Sequence, residues 1–243
     1  MSWPSAIPEL GVDLDDRQSL ACLLRILAPT WEENLSGHIT VADTDGTMLC
    51  NPWGLWWREV CASDIVRVDT DGNVVEGRWD VTPAVFLHTE LHRARPDARI
   101  VVHNHPFSAT LLACVGELPP VSHQNSAIFA DDLALIDEYA GTVESVASGA
   151  RLASLAGAAT GILLANHGAI VTASSFGEAG YKATTLERMC RLHVEARPMN
   201  RELRTLPGAP YTDLKAELYR NTPEVFWRGA VRTLLRDQPE VLH

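Results

Sequence analysis

Arg95-Pro96-Asp97-Ala98-Arg99-Ile100-Val101-Val102-His103-Asn104-His105 is the stretch on which the fold turns. Pro96-Asp97 stops a preceding helix, because proline has no N–H to give to a helical turn. Ile100-Val101-Val102 is apolar and β-branched, the pattern of a buried strand. That strand ends on His-Asn-His, and side chains two apart in a strand point the same way. Far downstream a second apolar run, Ile162-Leu163-Leu164-Ala165-Asn166, leads into His167 and then Gly168. Three imidazoles at two strand ends can surround one divalent ion and leave positions open, which is the arrangement of a catalytic metal rather than a structural one. The ordinary reading of any one of them alone is a hydrogen-bonded core histidine.

Outward from this stretch the chain reads as alternating elements. Residues 84–95 form a helix with Pro83 at its first turn. Residues 15–27 form another, with Asp13 as its cap and Pro29 as its stop. Strands are expected at 37–41, 47–50, 64–68 and 74–75, with Asp45-Gly46 and Asp71-Gly72 as turns. Further on, 143–146 reads as a strand, 148–155 as a helix, and 161–166 with 169–172 as a hairpin. The longest helix covers 176–194. Residues 198–210 read as a linker, and a last helix runs near 226–235. The expected architecture is one α/β layered domain over 1–243, with a central, mainly antiparallel sheet flanked by helices. Residues 198–243 are then a C-terminal tail packing on the domain or on a neighbouring subunit.

Composition narrows the function. The 243 residues are 46% hydrophobic and 21% charged, with a net charge of −11. That balance lacks the basic footprint of a nucleic-acid binder. No apolar run reaches the ~18 residues that span a membrane, and no basic stretch precedes an apolar run at the N-terminus. Five scattered cysteines, never C-x-x-C, read as reduced thiols of a cytoplasmic protein. Only Lys182 and Lys215 are lysines, so candidates for Schiff-base chemistry are few.

The quoted stretch, Asn166-His167-Gly168, the strand Gly37-His38-Ile39-Thr40-Val41, and Asn51-Pro52-Trp53-Gly54-Leu55 followed by Ala62-Ser63-Asp64 together resemble the class II aldolase/adducin superfamily. Order and spacing hold from about residue 15 to 195. The resemblance implies that His103, His105 and His167 bind one divalent ion (zinc, manganese, iron or cobalt). It also implies a homotetramer with sites at subunit interfaces.

The departures from that family speak to chemistry. The sugar-phosphate aldolases carry a Ser-Ser-Glu run whose Glu is the acid/base, and its positions fall on Thr82, Pro83 and Ala84. Ala84 can neither ligate nor carry a proton. Phosphate-binding positions fall on Gly37, His38, Trp53, Gly54, Thr82 and Pro83, where bulk and a missing N–H dismantle a phosphate cradle. A decarboxylase needs no base to strip a proton from carbon, because carbon dioxide leaves the electron pair behind. It needs a Lewis acid and a later proton donor. The expectation is therefore a metal-dependent lyase, a decarboxylase of a small hydroxylated aromatic (phthalate- or pyridine-dicarboxylate-like) or oxo-acid carboxylate. Substrate would lie against His38, Trp53, Gly54 and Thr82, with His123 as proton donor. The alternatives are a class II aldolase acting on an unphosphorylated carbonyl compound, a non-haem Fe(II) oxygenase, and a metal-free adducin-like interaction protein.

Other residues have plainer readings. His88 and His92, at i and i+4, can share one ion but fall on a face of mostly packing and surface character. Trp56 and Trp57 read as substrate wall or core. Asp131-Asp132 reads as a solvated pair or helix cap, and Tyr181 and Lys182 as packing or surface, with reach toward a neighbouring site as the functional alternative.

Overall fold

The computed structural model describes residues 8–31, 35–139, 141–206 and 208–243, the backbone alone at 208–212. Residues 1–7, on which the reading of the N-terminus falls, lie outside it, as does residue 207 of the expected linker.

Eight strands form one sheet. They are β1 (His38–Ala42), β2 (Met48–Cys50), β3 (Val66–Val68), β4 (Val74–Glu76), β5 (Ile100–Asn104), β6 (Leu133–Ile136), β7 (Gly161–Leu164) and β8 (Gly168–Ala173). Their spatial order is β4-β3-β2-β1-β5-β8-β7-β6. Every pairing is antiparallel except β6 with β7, which is parallel. The helices are α1 (Asp16–Leu27), α2 (Phe86–Ala94), α3 (Phe107–Val115), α4 (Val146–Ala156), α5 (Phe176–Ala196) and α6 (Gly208–Asp237).

Strand alternation sorts the side chains onto two faces. Ile39, Val41, Ile100, Val102, Leu163, Ala169 and Val171 face a core built with Leu20, Leu24, Leu112, Ala179 and Leu186 from α1, α3 and α5. Val101, Ile162, Leu164 and Ile170 face the other way, against Leu87 and Leu91 of α2 and Leu152, Ala153 and Ala156 of α4. The result is a three-layer α/β/α stack. His38, Thr40 and His103 alternate onto the α2–α4 face, where a polar side chain must find a partner or a ligand.

Several local expectations are corrected. The cap of α1 is Asp15, not Asp13: Asp15 Oδ1 accepts from Gln18 N (2.8 Å), and Gln18 Oε1 accepts from Asp15 N (3.2 Å). This reciprocal capping box contributes about 1 kcal/mol. Residues 143–145 are not a strand but lead into α4, whose first turn is capped by Ser145 Oγ accepting from Ser148 N (3.2 Å). The helix expected from residue 84 begins as a 3-10 turn at Pro83–Val85, and α2 proper starts at Phe86. The last helix is α6, 30 residues long with Pro223 inside it, rather than a short helix after a linker. It lies against α5, where Trp227 stacks on Phe176 (ring centres 5.5 Å apart) and Phe226 meets Tyr181 edge-on (6.0 Å). α3 and β6 appear where no element was expected.

Candidate metal centre

His103 is the fourth residue of β5, and His105 follows the strand end. The residue between them holds both in place. Asn104 points to the opposite face, where its Nδ2 donates to Trp31 O (2.9 Å) and its Oδ1 accepts from His105 N (2.8 Å). A Cβ at residue 37 would come within 2.5 Å of Asn104 Cγ, so only glycine lets β1 enter beside this side chain. His167 sits in the tight β7–β8 turn. Asn166 takes a left-handed φ of +55°, and His167 N donates to Leu164 O (3.0 Å). Gly168 is required by close approach: a Cβ there would lie 2.6 Å from Asn104 O and 2.6 Å from His105 Cδ2.

The three histidines present ring nitrogens that all lie within 4.8 Å of one another, the one such cluster among the described residues. Ring centres are 5.2 Å apart for His103–His105 and 4.9 Å for each pair with His167. His103 Nδ1 faces Ala169 O at 3.0 Å and must donate to it, which leaves Nε2 with the lone pair. Burial, then the neighbouring histidines, holds the His103 imidazole well below its ordinary pKa. Burial, then His167, lowers His105 to about 4, and burial lowers His167. All three rings are therefore neutral near pH 7 and able to ligate. Three neutral imidazoles with open space beside them fit a borderline divalent ion such as zinc, manganese, iron or cobalt.

His38 is the Cα partner of His103 across the β1–β5 ladder, with ring centres 4.8 Å apart. Its strand entry is pinned on the far side. Asn51 Oδ1 accepts from Ile39 N (2.7 Å), Asn51 Nδ2 donates to Gly37 O (3.2 Å), and the fully buried Trp57 donates its indole N–H to the same carbonyl (3.0 Å). Burial, then His88, His105 and His167, keeps the His38 imidazole well below its usual pKa.

His88 and His92 take the packing reading of this helix face, and neither belongs to the one metal-competent cluster among the described residues. Both face the sheet, His88 fully buried and His92 partly so. His88 Nε2 meets His38 Nδ1 at 2.5 Å, and Thr40 Oγ1 meets His88 Nδ1 at 2.6 Å and His92 Nε2 at 2.8 Å. Thr40 had no sequence signal of its own. Its position two residues after His38 on one strand face was the only clue.

The other residues singled out in the sequence lie in varied settings. Trp57 is core, whereas Trp53 and Trp56 stand 45% and 47% exposed. Gly54 adopts φ +88° with open space where a side chain would be. Thr82 is buried and caps the turn before α2 by accepting from Ala84 N (3.1 Å). His123 lies at the start of the 3-10 segment Gln124–Phe129, its pKa lowered by burial and by Arg188. Its Nε2 is buried without a hydrogen-bond partner among the described residues. Asp132 is no solvated residue: it accepts from Thr160 N (2.9 Å) and Thr160 Oγ1 (3.0 Å) and meets Lys215 (3.2 Å). Lys182 is fully buried and paired with Glu178 at 2.6 Å, which fixes it as a packing residue within this chain.

Residues 17–194 match the model of the Class II Aldolase and Adducin N-terminal domain. Over 170 residues, 68% of this chain, the sequence is 33% identical to a Streptomyces niveus protein named Decarboxylase NovR, of which 63% is covered. Over the same length it is 32% identical to 4-hydroxy-3-prenylphenylpyruvate oxygenase/4-hydroxy-3-prenylbenzoate synthase of Streptomyces roseochromogenus subsp. oscitans, of which 61% is covered. The aligned part thus spans about six-tenths of both relatives. Among solved structures, an aldolase II superfamily protein from Pseudomonas syringae superposes with a TM-score of 0.81 at 27% identity, covering 93% of this chain and 94% of that one. Among the described residues no helix is long and apolar enough to cross a membrane.

Proposed function

The chain belongs to the class II aldolase and adducin family, and from that premise we propose that it is a metal-dependent carbon–carbon lyase, a decarboxylase of a small hydroxylated aromatic or oxo-acid. The observation that carries this reading is a compact three-histidine centre in a chain with a methyl group, Ala84, at the position of the aldolase acid/base. A divalent ion held by His103, His105 and His167 would supply Lewis acidity for the negative charge that develops as carbon dioxide leaves.

The protein's own groups do the rest. His38 borders the centre and presents a ring edge to substrate. Trp53 offers an exposed aromatic face, with Gly54 leaving room beside it, and Thr82 would contribute its hydroxyl at the turn before α2. Ala84 and Pro83 put neither a base nor a phosphate donor at the start of α2. His123, whose Nε2 has no hydrogen-bond partner among the described residues, is the proposed proton relay, taking up a proton and passing it to the carbon that lost the carboxylate. Homotetrameric assembly, with each site completed by a neighbouring copy, belongs to the same proposal.

A second reading is a non-haem iron oxygenase. It is favoured by the name of one relative and by a three-histidine donor set that also suits iron. One experiment separates the two. Protein purified without added metal is analysed for metal content and incubated with a panel of ortho-hydroxy aromatic acids and oxo-acids, under argon and under air. Carbon dioxide release under argon with zinc or manganese bound supports the lyase. Iron with oxygen consumption supports the oxygenase. Absence of any metal would leave an adducin-like interaction module.

A further inference from the structure

A line of polar side chains runs between α2 and the sheet, from the carbonyl of Ala98 to the three-histidine centre. It passes through His92, Thr40, His88 and His38, and each contact is 2.8 Å or shorter. The hydrogens along it have only one consistent arrangement. Ala98 O can only accept, so His92 Nδ1, 2.7 Å away, carries a hydrogen. Burial lowers His92 to a pKa of about 4, so its ring is neutral near pH 7 and Nε2 holds a lone pair. The Thr40 hydroxyl has one hydrogen and gives it to His92 Nε2. Its oxygen then accepts from His88 Nδ1–H. That leaves His88 Nε2 as an acceptor, and the 2.5 Å contact requires His38 Nδ1–H to donate to it. His38 Nε2 is left with a lone pair on the ring edge away from His88. The His103 ring lies 4.8 Å from that of His38, and His105 and His167 are near enough to act on it electrostatically.

We propose that Thr40, His88 and His92 are positioning residues that transmit the polarity of the Ala98 carbonyl to His38 and hold it as the Nε2-accepting tautomer beside the three-histidine centre. His103 is fixed in the same tautomer by one direct bond to Ala169 O, and His38 by a relay of three side chains. The assignment stands whichever reaction the centre performs. It names the ligand chemistry that the site takes at this point: a hydroxyl or other donor has a partner in His38 Nε2. A dianionic phosphate, whose oxygens only accept, has none. The chain thereby selects a hydroxylated, unphosphorylated ligand through hydrogen-bond polarity as well as through shape.

The test reads tautomers directly. Protein labelled with ¹⁵N-histidine is examined by long-range ¹H–¹⁵N correlation, with and without zinc, and the His38 signals are assigned by their loss in His38→Gln. In the unmodified protein His38, His88 and His92 should each show protonated Nδ1 and unprotonated Nε2. Thr40→Val removes the hydroxyl at nearly the same shape. It should turn the His38 and His88 signals into tautomer mixtures while zinc stays at one per chain, and Thr40→Ser should restore the single form. A protonated Nε2 on His38 in the unmodified protein overturns the proposal, as does a His38 signal unmoved by Thr40→Val. If Thr40→Val does not fold, the spectrum of the unmodified protein decides alone.

Discussion

The chain carries two close histidine pairs, and they do opposite things. His103 and His105 sit at the end of β5, two residues apart, where the strand gives way to a loop and His167 arrives from the next turn. His88 and His92 sit one helical turn apart on α2, pressed against β1. Spacing alone offered both as metal ligands. What separates them is the fate of each ring's two nitrogens. His103 gives one nitrogen to a backbone carbonyl and keeps the other for the centre. His88 and His92 have both nitrogens taken up by Thr40, His38 and Ala98 O, so neither has a lone pair to share with an ion. A histidine pair can serve as metal ligands where the fold satisfies one nitrogen and leaves the other facing space.

The sharpest way to break this comparison is to remove one member of each pair. His105→Ala should cost far more metal affinity than the roughly 10–100-fold typical of losing an outer-shell partner, and metal analysis should find well below one ion per chain. His92→Gln should retain the ion. Full occupancy in His105→Ala, or loss in His92→Gln, would exchange the roles assigned to the two pairs.

Next in size is a stability effect without a metal effect. His88 is fully buried and has bonds to both His38 and Thr40. His88→Ala leaves those two groups short of a partner, and each unsatisfied buried group costs about 1–3 kcal/mol. Denaturant unfolding should register a loss of about 2 kcal/mol or more, with metal content unchanged. A loss within about 0.5 kcal/mol, the range of surface substitutions, would mean that the line of polar groups contributes nothing to the fold.

The pairs also predict a common pH response. His92 and His105 are lowered from 6.5 to about 4, and His38, His88 and His103 lie well below 6.5. Between these values the unfolded chain binds protons that the fold refuses, so stability falls as pH drops from 6.5 towards 4. Each such group contributes a slope of about 1.4 kcal/mol per pH unit. Unfolding curves across this window should show the loss, and His92→Gln should flatten the slope by about one proton. A metal-loaded sample should lose its ion over the same acid range, since protons and metal compete for the same nitrogens. A flat profile would contradict the neutral assignment on which both pairs depend.

How much of this was legible in the sequence follows from how local each cause is. The strand before His103 and the turn at His167-Gly168 were readable because β-branched and aliphatic runs on either side of a short break are local signals. α3 was not. Its residues are apolar or small nearly all round, and its N-terminus is capped from 79 residues away, where Glu187 accepts from Ser108 N and Ala109 N (both 3.0 Å). β6 is four residues long and held by parallel pairing to β7, a contact with no turn to announce it. Of the candidate site, the three ligand positions could be read as a pattern. The role of His88 could not, because it depends on α2 crossing β1 so that a helix face meets Thr40, 48 residues earlier.

The smallest expected effect concerns the start of the helix that bears the second pair. Ala84 lies in the turn before α2, with its N–H already given to Thr82. Were the chain a sugar-phosphate aldolase that had merely lost its acid/base, Ala84→Glu would rebuild the carboxylate and raise cleavage of a fuculose- or ribulose-type phosphate. No gain is expected. A carboxylate there restores proton transfer but no phosphate donors, because Pro83 has no N–H to offer and Trp53 places bulk where the family has a small residue. His38 adds a second obstacle, since its relay presents an acceptor rather than a donor. Coupled assays of the unmodified protein and of Ala84→Glu should both stay at background with sugar phosphates. Efficient turnover by either would show that the centre beside the first pair still serves aldol chemistry, and that the relay from the second pair does not exclude phosphate.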